Sequence, residues 1–317
     1  RLKLGLVILS VVHISLALRP HNRRLPLRFS SSCPCTSLQA SSQVAVDEMA
    51  SSSVVPLKPV ETMAELCEGE DMKHAPGEKL SWVHMILAHR YQRHMLLTLM
   101  DELKNMPPDA TADSDAVTKI RGMWKLYHAD FKHHAHAEDT IMFSGLKELA
   151  EGDEKTKMQE VLDTLAKEHG ELGVLEKALQ DAFAADFTPE NKRTALLDDL
   201  RKFAAVYHNH TYDEEHLLLP LAEAIEKGDK KDDAVALQKR VGKYFSSQKE
   251  LGYGLQAMME LARTHPKDQA IYESSMSWFL RGPITFMTGF SGTSHEFHKL
   301  FPAPKEPIEA AFTAALQ

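Results

Sequence analysis

Residues 207–221 read YHNHTYDEEHLLLPL, and residues 131–143 read FKHHAHAEDTIMF. The two stretches match at a constant offset of 76: Phe131 with Tyr207, His134 with His210, Glu138 with Glu214, Asp139 with Glu215, and Ile141, Met142 and Phe143 with Leu217, Leu218 and Leu219. In each, a His and a Glu stand four residues apart, which on a helix stacks them on one face. Working outward, the same face continues. Ile120, Trp124, Tyr127, Phe131, His134, Glu138 and Ile141 follow in steps of four and three, as do Leu200, Phe203, Tyr207, His210, Glu214, Leu217 and Leu221. That spacing keeps side chains on a single seam. Each seam is apolar on both sides of its His-Glu pair. A buried carboxylate without a partner costs several kcal/mol, and a cation between two of them removes that cost. The bland alternative is a pair of structural ion pairs or a solvated face, against which stand the large apolar neighbours.

Two more helical seams complete the pattern. Trp82, Ile86, His89, Leu96, Met100 and Leu103 form one; Met158, Leu162, Leu165, His169, Leu172 and Leu179 form the other. Each contributes one His, so the order is His, then HxxxE, twice over. The predicted helices run from about Lys79 to Asn105 before Pro107-Pro108, from about Ser114 to Ala150 with Asp113 or Ser114 as cap and Gly152 as stop, from about Lys155 to Ala184, and from Thr188-Pro189 to near Gly228. Their short connections favour antiparallel neighbours. The expected fold is all-α, an up-down-up-down four-helix bundle over residues 79–228. A third HxxxE, His74…Glu78, is interrupted by Pro76-Gly77 and discounted. His84, His94, His128, His133, His136, His208, His216, His265, His295 and His298 read as non-ligands.

The candidate metal ligands are therefore His89, His134, Glu138, His169, His210 and Glu214. Four imidazoles and two carboxylates suit a pair of borderline metals such as iron, although the same set holds zinc or manganese. If Glu138 and Glu214 bridge and each metal takes two imidazoles, roughly two coordination positions stay open after a bridging oxygen is counted. Dioxygen, peroxide or nitric oxide could occupy them. Asp139 and Glu215, next to the ligand carboxylates, are candidates for orienting imidazoles. Tyr127 and Tyr207 either line the pocket or are core aromatics.

The rest of the chain bounds this reading. It has 317 residues, 43% hydrophobic and 26% charged, an ordinary globular balance. A net charge of −8 argues against a general nucleic-acid binder. There is no acyl-transfer nucleophile motif, no phosphate-binding glycine loop and no CxxC pair. The first 46 residues carry six Lys/Arg and no acid. Within them Leu4–Leu18 is apolar but shorter than the roughly twenty residues of a spanning helix, so it reads as a signal core followed by an Arg- and Ser-rich, transit-like run. Residues 1–48 are expected to be either such a leader, which resembles the two-part leaders of algae with complex plastids and would direct the chain to a plastid or another targeted compartment, or a spurious extension; translation from Met49 would instead leave a cytoplasmic protein. Residues 49–78 read as a linker. Residues 229–317 read as a helical C-terminal extension of unassigned partner, with helices at 233–263, 268–281 and 307–316. No membrane association is expected for the mature domain. Cys33 and Cys35 fall in the leader, which leaves Cys67 alone in the body and no internal disulfide.

The order of a seam His, HxxxE, a seam His, and HxxxE followed by an acid and an apolar run ending in proline resembles the hemerythrin-like, or HHE cation-binding, family over about Ser81–Ile225. The resemblance implies a four-helix bundle with a carboxylate-bridged, non-haem di-iron centre that binds dioxygen or related small molecules, and it carries ligand roles onto the six residues above. Oxygen-carrying members place a second His four residues after the third-helix one and an Asp five after the last. Here those positions bring Gly173 and, one residue earlier, Glu214. That departure argues against plain reversible oxygen carriage. It is closer to divergent HHE proteins, for which oxygen or iron sensing, iron handling and peroxide turnover are proposed. Three readings follow: a di-iron binding or sensing module, a di-iron peroxidase-like, catalase-like or oxidase enzyme, and a metal-free helical interaction protein.

Overall fold

A computed structural model describes residues 56–68, 82–247, 261–275, 299–302, 304 and 306–317. The leader, the His74…Glu78 pair, and His295 and His298 lie outside the described residues. The described elements are α1 (Met63–Glu68), α2 (Val83–Lys104), α3 (Asp115–Ala137), a π-turn at Glu138–Met142, α4 (Phe143–Leu149), α5 (Gly152–Ala184), α6 (Glu190–Asp213), a second π-turn at Glu214–Leu218, α7 (Leu219–Lys227), α8 (Lys231–Ser247), α9 (Pro266–Ser275) and α10 (Glu309–Leu316). Among the described residues there are no strands.

Local chemistry sets several boundaries. Ser114 caps α3 by accepting from the backbone N–H of Val117. Gly152 does not merely stop the preceding helix. It starts α5 with φ at +54°, a left-handed conformation that favours glycine. Pro189, not Thr188, occupies the cap position of α6; Thr188 instead bonds to Asp186.

Two apolar clusters show how the four long helices run. Ile86 and Leu87 of α2, Phe143 and Leu146 of α4, Leu162 and Leu165 of α5, and Leu219 and Ile225 of α7 belong to one cluster. Leu96 and Leu103 of α2, Ile120 and Trp124 of α3, Leu172 and Phe183 of α5, and Leu200 and Phe203 of α6 belong to the other. Read along the chain, successive helices enter the clusters in opposite order, which is the up-down-up-down arrangement. In every helix the seam His, or the His-Glu pair, falls between the two clusters.

The π-turns correct the expected seam. Phe143 N–H bonds to Glu138 O, and Leu219 N–H bonds to Glu214 O, each spanning five residues where an α-helix spans four. The extra residue rotates everything downstream by about a quarter turn or more. Expected core residue Leu217 is therefore 44% exposed, while Leu218 and Leu219 are buried. Ile141 and Leu221 are only half-buried, while Met142 and Ala222 take their places. Pro220 has no N–H to give and suits the second break; the first contains no proline.

Segments outside the four helices pack onto them. Met63 and Leu66 of α1, Leu237 of α8 and Tyr272 of α9 join the first cluster; Phe301, Ile308 and Phe312 join the second. The stretch read as a linker thus contains a packed helix, and the C-terminal extension shares the bundle's core. Among the described residues, no helix is long and apolar enough to cross a membrane.

Candidate metal centre

The layer between the two clusters gathers all six candidate ligands. His89 comes from α2, His134 from the last turn of α3, His169 from α5 and His210 from the last turn of α6; Glu138 and Glu214 each open a π-turn. The six fall into two groups, His89, His134, Glu138 and Glu214, and Glu138, His169, His210 and Glu214, and within each the ligand atoms lie within 4.8 Å of one another. Both carboxylates belong to both groups. Glu138 Oε1 lies 2.8 Å from His134 Nε2, while its Oε2 lies 3.5 Å from His169 Nε2. Glu214 Oε2 lies 3.2 Å from His89 Nε2, while its Oε1 lies 3.5 Å from His210 Nε2. Each carboxylate therefore offers one oxygen to each half of the site.

These short separations are not ordinary hydrogen bonds. His89 Nε2, His134 Nε2 and all four oxygens of Glu138 and Glu214 are buried without a hydrogen-bond partner. They crowd together in two groups instead. Donor atoms bound at right angles to one ion at about 2.1 Å stand about 3 Å apart, which is close to the spacing seen. Glu138 is 4% exposed and Glu214 is fully buried, and carboxylates so placed call for positive charge. The residues present fit a pair of cations.

The electrostatics carry the same demand. Burial alone would strip His89 of its proton, but Glu138, Glu214 and Glu215 hold its pKa well above the ordinary value. Burial also opposes protonation of His169, yet Asp139 and Glu138 push it up to about 10. His210 goes the other way, well below the ordinary value, through burial and the neighbouring His169. For Glu214, burial and then the charge of Glu138 raise the pKa. Glu138 is held well below the usual range despite its burial, chiefly by His134.

The outer ring nitrogens are anchored. His89 Nδ1 lies 2.8 Å from Glu215 Oε1, and His169 Nδ1 lies 2.8 Å from Asp139 Oδ1. These are the two acids expected to orient imidazoles. An acid that follows a candidate ligand carboxylate in one helix thus contacts a His on a neighbouring helix. Glu215 in turn accepts from Arg93 Nη2 at 3.1 Å, and the same nitrogen donates to Thr211 Oγ1 at 2.6 Å. Burial notwithstanding, Arg93 and His89 bring Glu215 down to about 2.

Sequence reasoning missed Glu168. Its Oε2 lies 3.0 Å from His210 Nδ1, and Asp213 beside it pairs with Lys58. Burial and then Asp213 push Glu168 up to about 8. Its place immediately before a ligand His was visible in the sequence, but its reach to a different helix was not. Arg93 was missed for the same reason. Tyr127 and Tyr207 are fully buried, and Tyr207 donates to Gln92 Oε1 at 2.6 Å, whose amide donates to Asp130. They belong to the apolar cluster beside the site.

Described histidines outside the six have other partners. His94 bonds to Pro302 O, His128 to Glu176, His133 to Tyr244, His208 to the carbonyls of Lys58 and Pro59, and His216 to Tyr212 O. His265 lies beside Asp268. Gly173, where oxygen carriers of the resembled family have a His, offers no donor, and a Cβ there would meet nothing.

Residues 83–222 match the family model described as the hemerythrin HHE cation binding domain. No curated protein and no solved structure matches the chain.

Proposed function

Taking residues 83–222 as a hemerythrin HHE cation-binding domain, we propose that the chain is a non-haem two-iron protein that binds dioxygen, peroxide or nitric oxide. One observation carries this reading: two ligand groups share both of their buried carboxylates, and the four oxygens have no hydrogen-bond partner. His89 and His134 would hold one ion and His169 and His210 the other, with Glu138 and Glu214 common to both. Two such ions supply open positions for a small ligand and electrons for its reduction.

The chain's own residues prepare the site. Glu215 and Asp139 fix the outer nitrogens of His89 and His169, so that Nε2 of each ring faces inward. Leu172 and Leu218 belong to the buried clusters on either side and keep bulk water away from the layer. Imidazole and carboxylate donors suit iron as they suit zinc or manganese; iron is taken because the resemblance to the hemerythrin-like family implies it.

Full-length protein produced with ample iron should carry about two irons per chain, as the paired carboxylate site requires, and should absorb in the near ultraviolet through oxygen-to-iron charge transfer. Colourless, metal-free protein would overturn the reading in favour of a helical interaction module. Sustained peroxide consumption that His210→Ala abolishes would make the domain an enzyme.

A further inference from the structure

The centre is built on two repeated motifs, and Glu168 supports one half of it without a counterpart in the other. The α3 and α6 motifs are repeats, and the supports Glu215 on His89 and Asp139 on His169 occupy matching places in them, although Glu215 is buried and braced by Arg93 while Asp139 is exposed. Glu168 has no such equivalent. It precedes His169 on α5 and reaches the Nδ1 of His210 at 3.0 Å. The residue preceding His89 on α2 is Ala88, which has no acceptor to offer. Among the described residues no carboxylate contacts the Nδ1 of His134; the ring contacts of His134 are His89, with centroids 5.1 Å apart, and Phe245, at 6.2 Å.

We propose that Glu168 is a positioning residue that makes the two cation positions unequal, so that the His169–His210 position fills first and holds its ion more tightly than the His89–His134 position. The proposal rests on the two-cation reading above. An acceptor on Nδ1 fixes the tautomer that leaves Nε2 free to ligate, fixes the ring's orientation, and raises its basicity; each such support is worth about 10–100-fold in metal affinity. Both imidazoles of the second position have one, His169 from Asp139 and His210 from Glu168. Of the two at the first position, His89 alone has one among the described residues, from Glu215. Asp213 stands beside Glu168 and pairs with Lys58 of the N-terminal segment.

The test uses the full chain, stripped by chelation and titrated with Co²⁺ against a competing chromophoric chelator. The wild type should take up two ions in two steps, the first about tenfold or more tighter, the worth of one support. Glu168→Ala should weaken the first step about 10–100-fold and leave the second unchanged. Glu168→Gln, which keeps the bulk and one acceptor oxygen, should fall between and covers the case in which the alanine variant fails to fold. Glu215→Gln should act on the second step instead. In the NMR spectrum of the cobalt-loaded protein, one hyperfine-shifted imidazole N–H should exchange faster in Glu168→Gln while the others hold, a change that general loosening would not produce. Two equal steps in the wild type, or a Glu168 variant that weakens both steps alike or neither, would overturn the proposal. Wild-type protein that takes up no cobalt would instead sink the two-cation reading itself, and this inference with it.

Discussion

Glu214 is fully buried, both of its carboxylate oxygens lack a hydrogen-bond partner, and the second carboxylate, Glu138, belongs to both of its ligand groups. Without a cation this residue is a burden on the fold; with one it is the keystone of the site. Glu214→Gln removes the charge at nearly constant volume. Burial and the charge of Glu138 raise the pKa of Glu214, so the variant should be more stable than the wild type in the metal-free state while taking up fewer than two ions per chain. Thermal unfolding in excess chelator, set beside metal analysis of the same variant, checks both halves. A variant less stable than the metal-free wild type would show that the carboxylate is paid for by protein contacts alone. The sequence marked Glu138, Glu214 and the four imidazoles as candidates because each stands on an otherwise apolar seam, and the structure gathers them in two groups. Glu168 and Arg93 were not, because their roles depend on which helices lie side by side.

The same distinction appears at the level of elements. A strict alternation of threes and fours placed Leu217 in the core, and the π-turn at Glu214–Leu218 turns it out to 44% exposure and brings Leu218 in. Substitutions at the two neighbours should expose that shift. Leu217→Gln should change stability by no more than about 0.5 kcal/mol, and Leu218→Ala should cost about 2–5 kcal/mol, both read from denaturant midpoints at constant slope. A regular α-helix predicts the reverse order. The turn at Glu138–Met142 does the same to Ile141 and Met142. Both π-turns begin at a candidate ligand carboxylate, and Glu214 and Glu215 are buried side by side, one among the candidate ligand groups and the other on His89 Nδ1. A hydrophobic pattern has no symbol for one inserted residue, so the sequence located the helices and mislaid the register of their ends.

On the scale of the whole molecule, the C-terminal extension is part of the fold and not an appendage. Arg90, which follows a candidate ligand, is 1% exposed, and its guanidinium is held by Asp268 of α9 and Glu309 of α10. Asp268 also accepts from the backbone N–H of Ala64 in α1, and His94 bonds to Pro302 O. Removing residues 248–317 would strip Arg90 of both carboxylate partners and uncover the apolar contacts of Phe301, Ile308 and Phe312. The truncated chain should melt at a markedly lower temperature and with reduced cooperativity by calorimetry; an unchanged melting point would make the extension dispensable. The sequence by itself determined the helical class, the four seams and the six polar residues upon them, because periodicity and a buried charge are properties of neighbours along one chain. Only the tertiary structure decided the pairing of imidazoles with their outer acids, the two-by-two division of the centre and the clamp of α9 and α10 on Arg90, because each joins residues from separate elements whose proximity no local pattern records.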